Sequence, residues 1–185
     1  MKLLQQGGPG KINRLFFICP FSQLEVFLQN HYGDRPFFAT SIATRSQFND
    51  SAYANSIIEL IINEGITEIG IVVDTNCRFI NSVLQKRSSK HFKSTYQMQE
   101  ILDLHITEIV RQKTFTERKQ LFAKLVIHQQ VEEMCKVNLF KLMMMSRQIA
   151  VKGIISTKAA NELEEVSIKH FRPHDGLSIT DFKLN

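Results

Sequence analysis

Runs of consecutive apolar residues alternate with amphipathic stretches along the first half of the chain. Residues 15–18, 36–40 and 69–73 form three such runs, which is the pattern of strands buried on both faces of a sheet. Between the second and third runs, apolar residues recur at helical spacing, and Asp50 or Ser51 can cap the helix that they predict. Because strands and helices alternate with short connections, the sequence predicts a mostly parallel α/β sheet flanked by helices.

Two other segments carry helix signals. Ser22 and Glu25 have the spacing of a capping box and predict a short helix soon after the first strand. Residues 95–147 are helical in pattern almost throughout. There, Thr116 is expected to cap one long helix that includes Leu142.

The C-terminal part returns to strand patterns. Residues 150–156 are mostly apolar, and 163–168 alternate well enough to pair with them as an antiparallel edge strand. A chain of 185 residues is long enough for one domain with a small appendage. We therefore expect a flexible leader over 1–13, a single α/β domain over 14–169 and a C-terminal arm over 170–185.

The composition is that of an ordinary globular protein, with 43% hydrophobic and 22% charged residues, and it excludes a disordered or collagen-like chain. Three cysteines are too few for a disulfide scaffold and indicate free thiols in a reducing compartment. No apolar run reaches the roughly 18 residues that span a bilayer, and the N-terminus lacks a signal-peptide pattern. These features predict a cytoplasmic protein with no membrane segment.

The net charge of +5 has one local concentration, in Lys86, Arg87, Lys90 and Lys93. Such a segment is most often a solvated helix end or loop, and nucleic-acid binding is the less favoured interpretation. A small module that binds an anion or a partner through this segment stays open as a non-enzymatic alternative.

Two cysteines follow predicted strands at places where open α/β sheets form their sites. Cys19 comes directly after the first strand, and Cys77 follows the third strand with Asp74 three positions before it. Two thiolates and a carboxylate can hold zinc in a tetrahedral site with one open position. The alternative is a pair of packed thiols, in which case a buried Asp74 needs a partner such as Arg78 or Arg45.

In these residues the sequence resembles the β-class carbonic anhydrases, which hold zinc through a Cys after the first strand and an H-x-x-C pair after the third. Cys19 and Cys77 are 58 residues apart, an interval typical of that family, and Asp74 occupies the histidine position. Near the C-terminus, Gly153 and Asn161 keep the interval of two family glycines, and Asn accepts the positive φ of a turn. The resemblance implies the family's fold over about residues 15–168, zinc as a possible cofactor, CO2 or bicarbonate as ligand, and a homodimer.

The first family motif is altered. It reads C-x-D-x-R in the family, where the Asp orients the zinc-bound hydroxide and the Arg holds that Asp; here Phe21 and Gln23 occupy these positions. An apolar ring does not orient a hydroxide, and Gln has no charge to fix a carboxylate. Ligands Cys19, Asp74 and Cys77 would also make the zinc centre more negative than two Cys and a His, which raises the pKa of bound water.

The sequence therefore predicts a β-carbonic-anhydrase-like protein that is impaired in CO2 hydration and has a degenerate zinc site of Cys19, Asp74 and Cys77. An active zinc-dependent carbonate dehydratase with a rearranged site, in which Asp74 both ligates and orients, is the enzymatic alternative.

Overall fold

The structure is a computed structural model that describes residues 12–33, 36–85, 93–147 and 149–168. In these ranges five strands form one sheet in the order β2-β1-β3-β4-β5. Their bounds are β1 Arg14–Ile18, β2 Phe37–Thr40, β3 Glu68–Asp74, β4 Ala150–Thr157 and β5 Glu162–Val166. Strands β1 to β4 pair in parallel, and β5 pairs antiparallel with β4. The predicted α/β class, with a mostly parallel sheet and an antiparallel edge strand, is confirmed.

Seven α-helices accompany the sheet in the part of the chain that the structure describes. They are α1 Glu25–Tyr32, α2 Ser51–Asn63, α3 Arg78–Leu84, α4 Lys93–Leu104, α5 Ile106–Arg111, α6 Phe115–Lys136 and α7 Asn138–Arg147. None of these described helices is long and apolar enough to cross a bilayer.

Alternate residues of β1 face opposite sides of the sheet, as the two-residue period of a strand requires. Leu15 and Phe17 belong to a large core that α2 to α7 supply, whereas Phe16 and Ile18 pack with Leu28 of α1 on the other face. All five side chains are fully buried. Burial on both faces explains why the strand sequence is apolar without alternation.

Helix α2 begins as predicted, but the first helix does not. The Asp50 carboxylate accepts hydrogen bonds from the backbone N–H groups of the first turn of α2. The capping box predicted at Ser22 and Glu25 is wrong, because Ser22 ends a short 3-10 helix that Pro20 begins. Helix α1 starts at Glu25 behind Leu24, without a side-chain cap.

The long helix predicted from Thr116 is also corrected. Thr114 is the cap: its hydroxyl accepts the N–H of Glu117, whose carboxylate accepts the N–H of Thr114. A capping box needs Glu three positions after the hydroxyl residue, and only Thr114 has one there. The helical stretch divides at Val137, whose backbone is extended, so that Leu142 belongs to α7.

The hairpin between β4 and β5 turns at Asn161, whose φ of 58° lies in the left-handed region as predicted. The predicted leader (1–13) and arm (170–185) lie outside the described residues, apart from positions 12 and 13. The basic segment 86–93 also lies outside them, except for the backbone at position 93, where α4 begins.

Candidate functional site

The candidate site lies where the strand order changes direction. From β1 the chain continues to β2 on one side, while β3 pairs with the other side of β1. Ligand sites of open α/β sheets form beyond the carboxyl ends of strands at such a switch point. Cys19 directly follows β1, and Cys77 comes three residues after Asp74, the last residue of β3. The topology therefore brings the two cysteines to one edge of the sheet.

The two thiols interact directly and are almost fully buried, with Cys19 1% and Cys77 4% exposed. A hydrogen bond from Cys77 lowers the pKa of Cys19, against the opposing effect of burial. The backbone N–H of Ala43 also donates to Cys19 Sγ at 3.3 Å. The same thiol contact, followed by burial, raises the pKa of Cys77. These contacts favour the thiolate form at Cys19 and disfavour it at Cys77.

The loop after β2 positions the N–H group that reaches Cys19. Ala43 and Thr44 both have positive φ, at 57° and 58°, a conformation that stores strain in residues other than glycine. The Thr44 hydroxyl donates to the carbonyl of Val72 at 3.1 Å. Two hydrogen bonds between the Ser46 backbone and the buried Gln130 side chain tie the loop to α6. These contacts hold the strained turn against the edge of the sheet.

Asp74 is buried at the end of β3, and its carboxylate is engaged by its own turn and by β4. Oδ1 accepts the N–H of Asn76 at 2.6 Å, and Oδ2 accepts the hydroxyl of Ser156 at 3.3 Å. Burial raises the pKa of Asp74, while the hydrogen bonds from Asn76 and Ser156 act in the opposite direction. Both carboxylate oxygens therefore already have protein donors.

The arginines that the sequence offered as partners for Asp74 have other partners, so that expectation is wrong. Arg78 stacks its guanidinium over the Phe21 ring. Arg45 is buried and forms an ion pair with Glu133 of α6. Asp74 obtains its hydrogen bonds from nearer groups, a backbone amide two residues away and a hydroxyl on the adjacent strand.

The donors do not fit a preformed catalytic zinc centre. Such a centre uses three protein ligands and leaves a fourth position for water. Among the described residues, no group of three or more His, Cys, Asp or Glu side chains is arranged to hold a metal ion. Cys19 and Cys77 are together, but Asp74 would have to leave Asn76 and Ser156 to join them.

Phe21 forms an aromatic rim with residues of α3. The Arg78 guanidinium lies 3.6 Å from the centre of the Phe21 ring and 4.9 Å from that of Phe79. The two rings meet edge to face at 5.5 Å, a favoured aromatic geometry. Phe21 is 47% exposed, so this rim borders solvent. No sequence pattern predicts this rim, because stacking depends on how the two loops meet in space.

Cationic side chains fix both loops of the site. Lys119 of α6 donates to the Asn76 side chain at 3.1 Å, and Lys158 donates to the carbonyl of Gln23 at 2.7 Å. Together with Arg78 they place three positive charges on the loops around the thiols. A rim of one sign of charge attracts small anions.

The comparisons with known proteins identify the fold. No protein-family model and no curated protein matches the chain. Several solved structures, however, match its fold. A β-carbonic anhydrase of Sordaria macrospora, described as tetrameric, superposes with a TM-score of 0.70 at 15% identity, covering 84% of this chain and 80% of its own. The E54A mutant of the β-carbonic anhydrase CafD from Aspergillus fumigatus superposes with a TM-score of 0.72 at 14% sequence identity. The match covers 89% of this chain and 94% of CafD.

The Coccomyxa β-carbonic anhydrase, solved in complex with acetazolamide, gives a TM-score of 0.67 at 14% identity and covers 84% of this chain and 72% of its own. The overall architecture is thus shared over most of the chain, which confirms the predicted fold. Identities this low establish the fold alone.

Proposed function

We propose that this chain, which has the β-carbonic anhydrase fold, is a carbonic-anhydrase-like protein impaired in CO2 hydration, with a degenerate zinc site formed by Cys19, Asp74 and Cys77. The observation that carries the proposal is the position of Phe21. Where the resemblance places a carboxylate that accepts a hydrogen bond from zinc-bound hydroxide, this chain has a ring stacked under Arg78. The ring supplies no acceptor, and the guanidinium has no carboxylate there to hold.

The state of Asp74 supports the same conclusion. Its two carboxylate oxygens accept hydrogen bonds from Asn76 and Ser156, so zinc binding requires breaking both bonds. A third anionic ligand would also lower the Lewis acidity of the centre relative to a neutral imidazole. We therefore expect weak zinc binding at the two thiols and little hydroxide at neutral pH.

Binding of a small anion such as bicarbonate is the activity that we propose to survive. Its support is the positive rim formed by Arg78, Lys119 and Lys158. The three cysteines are free in the described residues, which supports a reducing, cytoplasmic location. We also propose a homodimer; light scattering on the full chain tests it, and a monomer mass would contradict it.

Restoring the family residues tests the functional proposal. The triple variant Phe21→Asp, Gln23→Arg, Asp74→His is loaded with zinc, its metal content is measured, and CO2 hydration is followed by stopped flow beside the native chain. We expect the native chain to remain at the uncatalysed rate and the variant to gain zinc-dependent turnover. The matched control is the same triple variant with Phe21→Asn in place of Phe21→Asp, because Asn has the size of Asp without its charge.

Two results would count against the proposal. Turnover by the native chain at the rate of an active β-carbonic anhydrase would establish the rearranged-lyase alternative. A folded, zinc-loaded triple variant that stays at the uncatalysed rate would show that the impairment does not reside in these three positions.

A further inference from the structure

Arg78 stacks on the aromatic rim with its N–H groups unused by other described residues. Its guanidinium lies 3.6 Å from the centre of the Phe21 ring and 4.9 Å from that of Phe79, within the roughly 6 Å over which a cation and a ring attract each other. No hydrogen bond or ion pair engages this guanidinium within the described ranges. The proposed function uses Arg78 as one of three positive charges and gives its N–H groups no role.

The stack directs these N–H groups away from the ring. A separation of 3.6 Å between the guanidinium and the Phe21 ring leaves room only for a face-to-face arrangement, since a nitrogen aimed at the ring would come too close to it. The five N–H donors lie in the plane of the guanidinium and point outward. Arg78 is exposed, whereas Phe79 is buried and holds Phe21 through an edge-to-face contact at 5.5 Å. A donor fork is therefore oriented before a ligand arrives, which reduces the entropy that binding costs.

The fork and the neighbouring ring select the kind of anion. Two parallel N–H groups match the two oxygens of a planar carboxylate. Phe21 is 47% exposed, so its ring offers apolar surface beside the fork. An inorganic anion such as bicarbonate gains from the fork alone, whereas an organic acid also removes apolar surface from water and packs against the ring.

Two lysines keep the surroundings of the fork positive. Lys119 donates to the side chain of Asn76, which lies on the same loop as Arg78, and Lys158 donates to the backbone of the loop that carries Phe21. Both lysines therefore stay near these loops without an acidic partner in these bonds, because their acceptors are an amide and a carbonyl. A surface of one sign of charge attracts a carboxylate and raises its local concentration.

We propose that Arg78 and Phe21 form a binding site for a small organic acid with an aromatic body. The carboxylate accepts both hydrogen bonds of the Arg78 fork, and the body of the ligand lies against the exposed part of the Phe21 ring. This inference rests on the anion binding proposed above and narrows its ligand from any small anion to an aromatic carboxylate.

The test uses the full chain, treated with a chelator so that neither zinc nor CO2 hydration affects the outcome. Benzoate, acetate and bicarbonate are titrated separately at constant ionic strength, because salt screens a charged surface. Binding is followed in NMR spectra of the nitrogen-labelled chain, which include the Arg78 Nε–H signal. We expect benzoate to shift that signal and to bind about threefold to tenfold more tightly than acetate or bicarbonate.

Three variants locate the site, and circular dichroism checks that each is folded. Arg78→Lys keeps the charge without the fork and should weaken benzoate binding by about tenfold. Phe21→Ala removes the ring and should reduce the preference for benzoate over acetate to less than about twofold. The matched control, Arg111→Lys, changes an exposed arginine on α5 and should bind benzoate like the native chain.

The failure of this inference and that of the broader proposal give different results. Equal affinity of the native chain for benzoate, acetate and bicarbonate would overturn the aromatic-carboxylate site and leave small-anion binding in place. Absence of binding for all three anions would contradict both. A folded Arg78→Lys variant that binds benzoate as tightly as the native chain would overturn the role of the Arg78 fork.

Discussion

Gly153 lies where α6 packs closely on β4, so we predict that a larger residue at this position destabilises the fold. This residue is buried in β4 opposite Ile71 of β3. A methyl group added there would lie 2.5 Å from Cγ2 of Ile127 on α6 and 3.3 Å from Cβ of Val166 on β5. Carbon atoms in contact normally approach to about 3.5–4.0 Å. The variant Gly153→Ala therefore forces α6 and β4 apart by about 1 Å.

The expected loss of stability follows from the overpacking. Extra methyl groups in a well-packed core cost about 1–3 kcal/mol. For a domain of this size each kcal/mol lowers Tm by roughly 2–4 °C, so Gly153→Ala should lower Tm by roughly 2–12 °C. Differential scanning calorimetry and urea unfolding of the native chain and the variant measure the change.

A second substitution tests whether Ile127 is the cause. Ile127→Leu moves the branch from Cβ to Cγ and removes the methyl that collides, at a cost of less than about 1.5 kcal/mol. In the double variant we expect a loss smaller than the sum of the two single losses by about 1 kcal/mol or more. Strict additivity, or a Gly153→Ala variant as stable as the native chain, would refute the described contact between α6 and β4.

Other predictions concern charges and caps. Burial raises the pKa of Asp74, so the folded chain binds this proton more tightly than the unfolded chain, and stability falls as pH rises through the unfolded value toward the folded one. Urea unfolding should therefore show Asp74→Asn gaining stability relative to the native chain between pH 4 and pH 7; an unchanged difference would contradict this. Glu133→Gln leaves the buried Arg45 without its ion-pair partner and should cost about 2–4 kcal/mol, reduced from a fully buried pair because Glu133 is partly exposed. Thr114→Ala removes the hydroxyl of a capping box and should cost about 1 kcal/mol in thermal unfolding, whereas the neighbouring Thr116→Ala should change little.

Much of the fold could be predicted from the sequence, because interactions between residues close together in the chain determine it. Apolar runs identified the strands because burial on both faces removes polar residues from them. The cap of α2 could be narrowed to Asp50 or Ser51 because an N-cap acts on amides only two or three residues away, and the structure has Asp50. Asn161 was identifiable because few residues accept a positive φ. In each case the interaction that decides the structure lies within a few positions along the chain.

The errors have equally physical causes. Ser22 and Glu25 match the capping-box pattern, but Pro20 directs the preceding backbone into a 3-10 turn. Val137 is a single extended residue between α6 and α7. The helical periodicity of the sequence continues across it, and a pattern averaged over several turns does not detect so short a break. The cap predicted at Thr116 is wrong because helical periodicity does not mark the cap itself; the local signal is Glu117, three positions after Thr114.

Contacts between distant segments decide the site, and no local pattern encodes them. The positions of Cys19 and Cys77 after two neighbouring strands predict that both lie at one edge of the sheet. The hydrogen bonds of Asp74 could not be predicted in this way, because its partner Ser156 is 82 positions away. Likewise, the pairing of Arg45 with Glu133 joins segments 88 residues apart.

The rate of CO2 hydration by the native chain, with its zinc content determined on the same sample, decides whether the chain is impaired in catalysis. If the chain is impaired as proposed, it holds less than one zinc per chain and gives a stopped-flow rate equal to that of buffer, beside an active β-carbonic anhydrase as positive control. Stoichiometric zinc together with turnover comparable to that control would contradict it.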